Sequence, residues 1–215
     1  LNMNNYSQSI GSLAGSGAVT LGSGLLTTGN DNTSTTFSGV LSGTGGLTKV
    51  GGGIFELSGV NSYTGDTNVN AGTLRLLSDI TSNVSIASSA SLQGGPVITG
   101  NVTNAGNIQP SFDGSATSLT INGNYVGNNG TFTSNVWGPN TSPIADRLII
   151  SGAGNAASGT TGIMAVDRGG LGKPISGNEI PLVTVALGAT TGAGAFTLSG
   201  RVASGAYEYN LYSVV

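Results

Sequence analysis

Hydrophobic anchors recur along the first half of the chain at a nearly constant interval. Val19, Phe37, Phe55, Leu74, Leu92 and Ile108 follow one another at intervals of 18, 18, 19, 18 and 16. A second series, Val69, Ile86, Val102 and Ile121, interleaves at 17, 16 and 19. Each anchor sits in a short alternating block such as Ile54-Phe55-Glu56-Leu57 or Thr73-Leu74-Arg75-Leu76, which is the period-two pattern of a half-buried strand. A strand advances about 3.3 Å per residue, so one repeat has a contour of roughly 60 Å. Closed into a triangular rung, that length encloses a core just wide enough for inward side chains. Stacked rungs then bring equivalent residues to about 4.8 Å and pair the backbone along the axis. Gly53, Gly72 and Gly106 precede strands, where corners demand unusual backbone angles. The spacing therefore predicts an all-β parallel solenoid, with an antiparallel sandwich as the rival arrangement of short strands.

Composition agrees with strand and argues against helix. The 215 residues include 38 glycines, only 7% are charged and 37% are hydrophobic. Such a chain is poor in helix formers, and its solubility rests on hydroxyls and amides. The regular apolar positions speak against wholesale disorder, which is expected only at the first residues. Leu1-Asn2-Met3 reads as mid-pattern sequence, so a part of something longer is expected, with no signal peptide of its own.

Several function classes are excluded by what is missing. The six cations, Lys49, Arg75, Arg147, Arg168, Lys173 and Arg201, are scattered and the net charge is −3, which is no footprint for nucleic acid. No run of 18 apolar residues is present, so no transmembrane helix and no membrane insertion of this chain are expected. Without histidine or cysteine there is no Ser-His triad, no thiol nucleophile and no usual zinc site. No cofactor and no metal are expected. Calcium-binding nonapeptides are not met, since Gly51-Gly52-Gly53 runs into Ile54-Phe55-Glu56 with no Asp. Paired carboxylates stay open as a route to sugar cleavage, but none of the nine acids pairs with another acid one rung away. Most, like Asp66 and Asp113, sit among turn residues. Sequons such as Asn83-Val84-Ser85 and Asn101-Val102-Thr103 are attributed to chance. Tyr125, Trp137, Tyr207, Tyr209 and Tyr212 are read as covers for the end of the core.

The repeat also makes a register prediction. Thr20, Ser38, Glu56, Arg75, Gln93 and Gln109 should form one outward column. Glu56 and Arg75 are thereby predicted as a cross-rung ion pair, whose structural weight would be about 0–1 kcal/mol.

From about Ile144 the period breaks. Strand-like runs follow at 147–150, 163–166, 182–187, 195–198 and 207–212, with Gly200 and Gly205 bracketing a hairpin. An open solenoid end exposes apolar groups and unpaired edges. Residues 1–143 are accordingly read as β-helix rungs and 144–215 as a cap ending in a β-hairpin.

The segment from Gly43-Thr44-Gly45-Gly46-Leu47-Thr48-Lys49 through Val69-Asn70-Ala71-Gly72-Thr73-Leu74 resembles the passenger-associated transport repeat of bacterial autotransporters. The runs Leu119-Thr120-Ile121-Asn122-Gly123-Asn124-Tyr125, Asp146-Arg147-Leu148-Ile149-Ile150-Ser151-Gly152 and Phe196 through Tyr212 resemble the pertactin-like autochaperone region of that family. The resemblance implies a right-handed parallel β-helix, exported through periplasm and outer membrane and displayed on a Gram-negative surface or secreted. It implies as partner the protein's own C-terminal β-barrel translocator, whose strands are not in this chain, and a monomer. It carries over Asp146, Arg147, Leu148, Tyr207, Tyr209 and Tyr212 as autochaperone motif positions with structural roles. Asp146 is expected to accept hydrogen bonds at a turn and Leu148 to lie in the core. The function implied is a non-catalytic stalk and autochaperone. Two alternatives remain open: an adhesive surface for host glycans or matrix proteins, and a polysaccharide-cleaving β-helix.

Overall fold

In a computed structural model the chain is described over residues 1–137, 144–152, 154–169, 180–186, 190–200, 202–204 and 207–210. Among these residues there is no helix, and short strands wind around three faces of a parallel β-helix. The first face holds Val19–Gly22, Leu41–Gly43 and Ser62–Tyr63, then Ile80–Thr81, Val97–Thr99, Ser118–Asn122, Arg147–Ser151 and Val183–Val185. The second runs from Gln8–Ser9 through Leu26–Thr28, Leu47–Lys49, Thr67–Val69, Val84–Ile86 and Val102–Asn104. The third stacks Thr35–Phe37, Ile54–Leu57, Gly72–Leu76, Ala90–Gln93 and Asn107–Gln109. Tyr125–Trp137 then serves both the second and third faces, because it turns the corner between them at Asn129 (φ 60) without leaving the ladder.

Alternation builds the core. Ile80, Ile98, Ile121 and Ile150 form one inward column. Phe55, Leu74, Leu92, Ile108, Phe132 and Ile163 form another. All of these are at most 2% exposed, and each such side chain stabilises the fold by about 1.5–3 kcal/mol relative to exposure. Corners pack just as closely. Gly72 has φ +64, and a Cβ there would meet the Gly51 carbonyl oxygen at 2.4 Å, so only glycine fits.

The predicted register holds in part. Glu56, Arg75, Gln93 and Gln109 do form one column. Below Glu56, however, stands Thr36 and not Ser38, since Phe37 pairs with Leu57 and Thr35 with Phe55. Thr20 lies on the first face under Ser42. In the second series Val69 meets Ile86, but Val102 stacks on Val84 and Ile121 belongs to the first face. The cause is uneven corner length. Thr35 finds its partner on the next rung at Phe55, whereas Leu92 already finds its own at Ile108. Rungs that differ in length by an even number return every side chain to the same side of the sheet, so the hydrophobic pattern does not register the difference.

Beyond Asn122 the rungs lengthen while the stack continues. Ile121 is followed in its column by Ile150, and Phe132 in its column by Ile163. Ala156–Asp167 lies parallel on Tyr125–Trp137, and Phe196–Leu198 lies parallel on Ala156–Asp167. Val202–Ser204 and Tyr207–Tyr209 form an antiparallel hairpin.

Tyr63 gives this interior a pH signature. Its fully buried hydroxyl bonds Thr67 Oγ1 at 2.8 Å, and burial pushes its pKa up to about 12 from 10. The phenol stays protonated in the folded chain where the unfolded chain has begun to lose the proton. Stability is therefore complete below pH 10 and falls as pH rises towards 12, by roughly 3 kcal/mol at most. Burial raises the pKa of Tyr125 as well, with the same sign. Urea titrations between pH 9 and 12 should show the decline, and Y63F should flatten it; an unchanged slope in Y63F contradicts the assignment.

Candidate functional site

The long rungs are tied together at a single buried carboxylate. Asp146 follows the strand Ile144–Ala145, which runs antiparallel to Val136 and Trp137, and its side chain is fully buried. Oδ2 accepts from Ser111 Oγ at 2.6 Å, Asn135 Nδ2 at 2.8 Å and Asn135 N at 3.1 Å. Oδ1 accepts from Thr117 N at 3.0 Å. One carboxylate thus fastens the 110–117 loop, the end of Tyr125–Trp137 and the start of Arg147–Ser151. Among the described residues no cation lies within salt-bridge distance of it, and one is coupled to it through a relay. Arg168 Nε donates to Asn135 Oδ1 at 2.6 Å, and Asn135 passes that polarisation on through Nδ2.

The neighbouring motif positions are arranged as follows. Leu148 is fully buried on the first face between Leu119 and Val183. Arg147 is half-buried and its Nη2 donates to Thr184 Oγ1 at 2.7 Å. Tyr207 and Tyr209 lie on the second hairpin strand, away from Asp146 in sequence, and Tyr212 is outside the described residues. Tyr125 and Phe196 stack at 5.7 Å between centroids, and the Tyr125 hydroxyl bonds Thr161 Oγ1 and receives Asn104 Nδ2.

On the third face Arg75 Nη1 lies 3.1 Å from Glu56 Oε2. The same guanidinium donates to Gln93 Oε1 and stacks 4.0 Å from the Phe112 ring centroid. Here the 110–117 loop folds back across the rungs below it.

Two polar devices escaped sequence reasoning. Lys49 is fully buried, its Nζ donating to the carbonyls of Val50 at 2.6 Å, Gly51 at 2.8 Å and Ala71 at 3.2 Å. Desolvation lowers its pKa from 10.5. Asn83 and Asn101 belong to an external ladder: Asn83 Oδ1 accepts from Asn101 N, Asn101 Oδ1 from Asn124 N, and Asn124 Oδ1 from Ala156 N. The asparagines of those sequons therefore cap the backbone at the corner where each rung enters the second face. The signal was the recurrence of Asn just before Val84, Val102 and Tyr125.

The described carboxylates are engaged locally. Asp31 and Asp113 close turns on Thr33 and Ser115, whose hydrogen bonds hold both carboxyls below the usual range. Asp66 accepts from Asn83, Asp79 from Val97 N and Asp167 from Gly169 N. Among the described residues no group of three or more acids is placed to hold a metal.

The Autochaperone Domain Type 1 family matches residues 97–211, more than half of the chain. The Passenger-associated-transport-repeat family matches residues 47–76, the stretch that carries Lys49, Glu56 and Arg75. YuaQ of Escherichia coli (strain K12) is 35% identical over 177 residues, 80% of this chain and 12% of that protein. The adhesin BmaC autotransporter of Brucella suis biovar 1 (strain 1330) is 36% identical over 183 residues, 81% of this chain and 5% of that protein. An extracellular serine protease of Serratia marcescens is 48% identical over 54 residues, 25% of this chain and 5% of that protein. The chain thus spans about an eighth or less of the curated relatives it matches.

Proposed function

Since the chain belongs to the autotransporter passengers bearing a type 1 autochaperone domain, we propose that it is a non-catalytic passenger segment. In this reading residues 1–143 act as β-helical stalk and 144–215 as an autochaperone cap that nucleates passenger folding during passage through the outer membrane. The partner is the translocator barrel of the same polypeptide, and the folded product is displayed on the cell surface or released from it.

The observation that carries the reading is the parallel stack of the long rungs, held at Asp146. Folding of a solenoid is governed by nearest-neighbour contacts, so a rung adds readily only to one already in place. Tyr125–Trp137 and Ala156–Asp167 are paired over 11 positions that run on through the corner between the second and third faces, where a short rung pairs three or four on each face. A template of that length, emerging first, offers each following strand a complete edge. Asp146, Arg147 and Leu148 then have structural roles, as do Tyr207, Tyr209 and Tyr212. The local engagement of the acids supports a segment without acid–base chemistry of its own.

Deleting residues 144–215 from the full-length protein should abolish protease-resistant surface display. Normal display with normal resistance after deletion contradicts the proposal. Adhesion is the second reading, favoured by the name of the Brucella suis relative, whose adhesive region the shared segment does not identify.

A further inference from the structure

We propose that the cleft beside the Asp146 relay is a binding site for a carboxylated sugar unit. The cleft has a volume of about 200 Å³ and lies between the 110–117 loop and the outward side chains of the long rungs. That is room for one pyranose ring, not for a nucleotide or a large apolar ligand.

Its lining has the division of labour that sugar recognition requires. Phe112 and Trp137 flank it, offering aromatic faces to the C–H groups of a ring. Phe112 is 40% exposed yet held in position by the Arg75 guanidinium at 4.0 Å. Gln109 contributes an amide at the lower edge, and Ser111 and Asn135, each 2% exposed, supply polar groups on the floor. Both floor residues are immobilised by Asp146, so their orientation is set before any ligand arrives.

Arg168 closes the upper edge. Val136 pairs with Asp167, which brings Arg168 level with Trp137 on the next rung. Its Nε is fixed on Asn135, while among the described residues no carboxylate lies within salt-bridge distance of the guanidinium. A fixed guanidinium beside aromatic faces selects for a carboxylate carried on a ring, because Arg pairs with carboxylates in a planar fork. The site does not depend on the folding role of the long rungs beyond their being folded.

Trp137 is the sole tryptophan of the chain, so its fluorescence reports the cleft directly. The chain should give a saturable Trp137 response to glucuronate, with little response to glucose or to acetate at equal concentration. R168M should weaken glucuronate binding about tenfold or more, and F112A should weaken it with the guanidinium intact. Urea midpoints measured alongside identify a variant that has not folded, in which case the other variant decides. No saturable response to glucuronate up to about 50 mM overturns the proposal. So does an equal response to glucose, which removes the carboxylate requirement, or to acetate, which leaves only an anion site.

Discussion

Asp146→Ala is expected to destabilise the chain by about 3–5 kcal/mol. The reason is the number of donors it strands. Asn135 N and Nδ2, Thr117 N and Ser111 Oγ all point at one carboxylate inside the fold, and each buried donor left without an acceptor costs about 1–3 kcal/mol. Burying a carboxylate is itself costly, which offsets part of that sum. Asp146→Asn is nearly isosteric and should nonetheless recover little. An amide has one acceptor oxygen, so whichever way it turns, an NH₂ group faces a donor. Urea unfolding followed by Trp137 fluorescence measures both variants. If Asp146→Asn matches the parent, the carboxylate is not the fastener described here.

Lys49→Met is expected to cost about 3 kcal/mol, although it removes a charge from the interior. Replacing a buried ion pair by apolar groups is often harmless, but Lys49 has no acid partner among the described residues. It serves the carbonyls of Val50 and Gly51 on its own rung and Ala71 on the next. Methionine fills the volume and leaves these oxygens unserved at the corner between the second and third faces. Lys49→Arg should fail as well, since a planar fork does not serve three carbonyls that converge on one nitrogen. The urea midpoint decides, and a Met variant as stable as the parent would mean that the corner carbonyls find other partners.

The fold was legible because a solenoid writes its geometry into spacing. Phe55, Leu74 and Leu92 recur at the length of one closed rung, and they stack directly. What spacing conceals is corner length. Phe37 reads as the anchor one regular interval before Phe55, yet it packs under Leu57, because an even shift preserves the inward side. The break near Ile144 had a similar origin: the rungs grow much longer there, and a search for short periods loses a stack that continues. Lys49 was within reach, since alternation from Leu47 puts it inward. Its composition class, a scattered cation, hid it. The ring of donors around Asp146 joins Ser111, Thr117 and Asn135, and no local pattern brings such distant positions together. Residues that touch only through the closing of long rungs leave no period to read.

Pulse-labelled hydrogen exchange during refolding of the chain tests the central claim most directly. Amides of Tyr125–Trp137 and Ala156–Asp167 should gain protection first, followed by the short rungs in descending order towards Val19–Gly22. Protection that begins in the short rungs, or that arises everywhere at once, would contradict a folding nucleus at the long rungs.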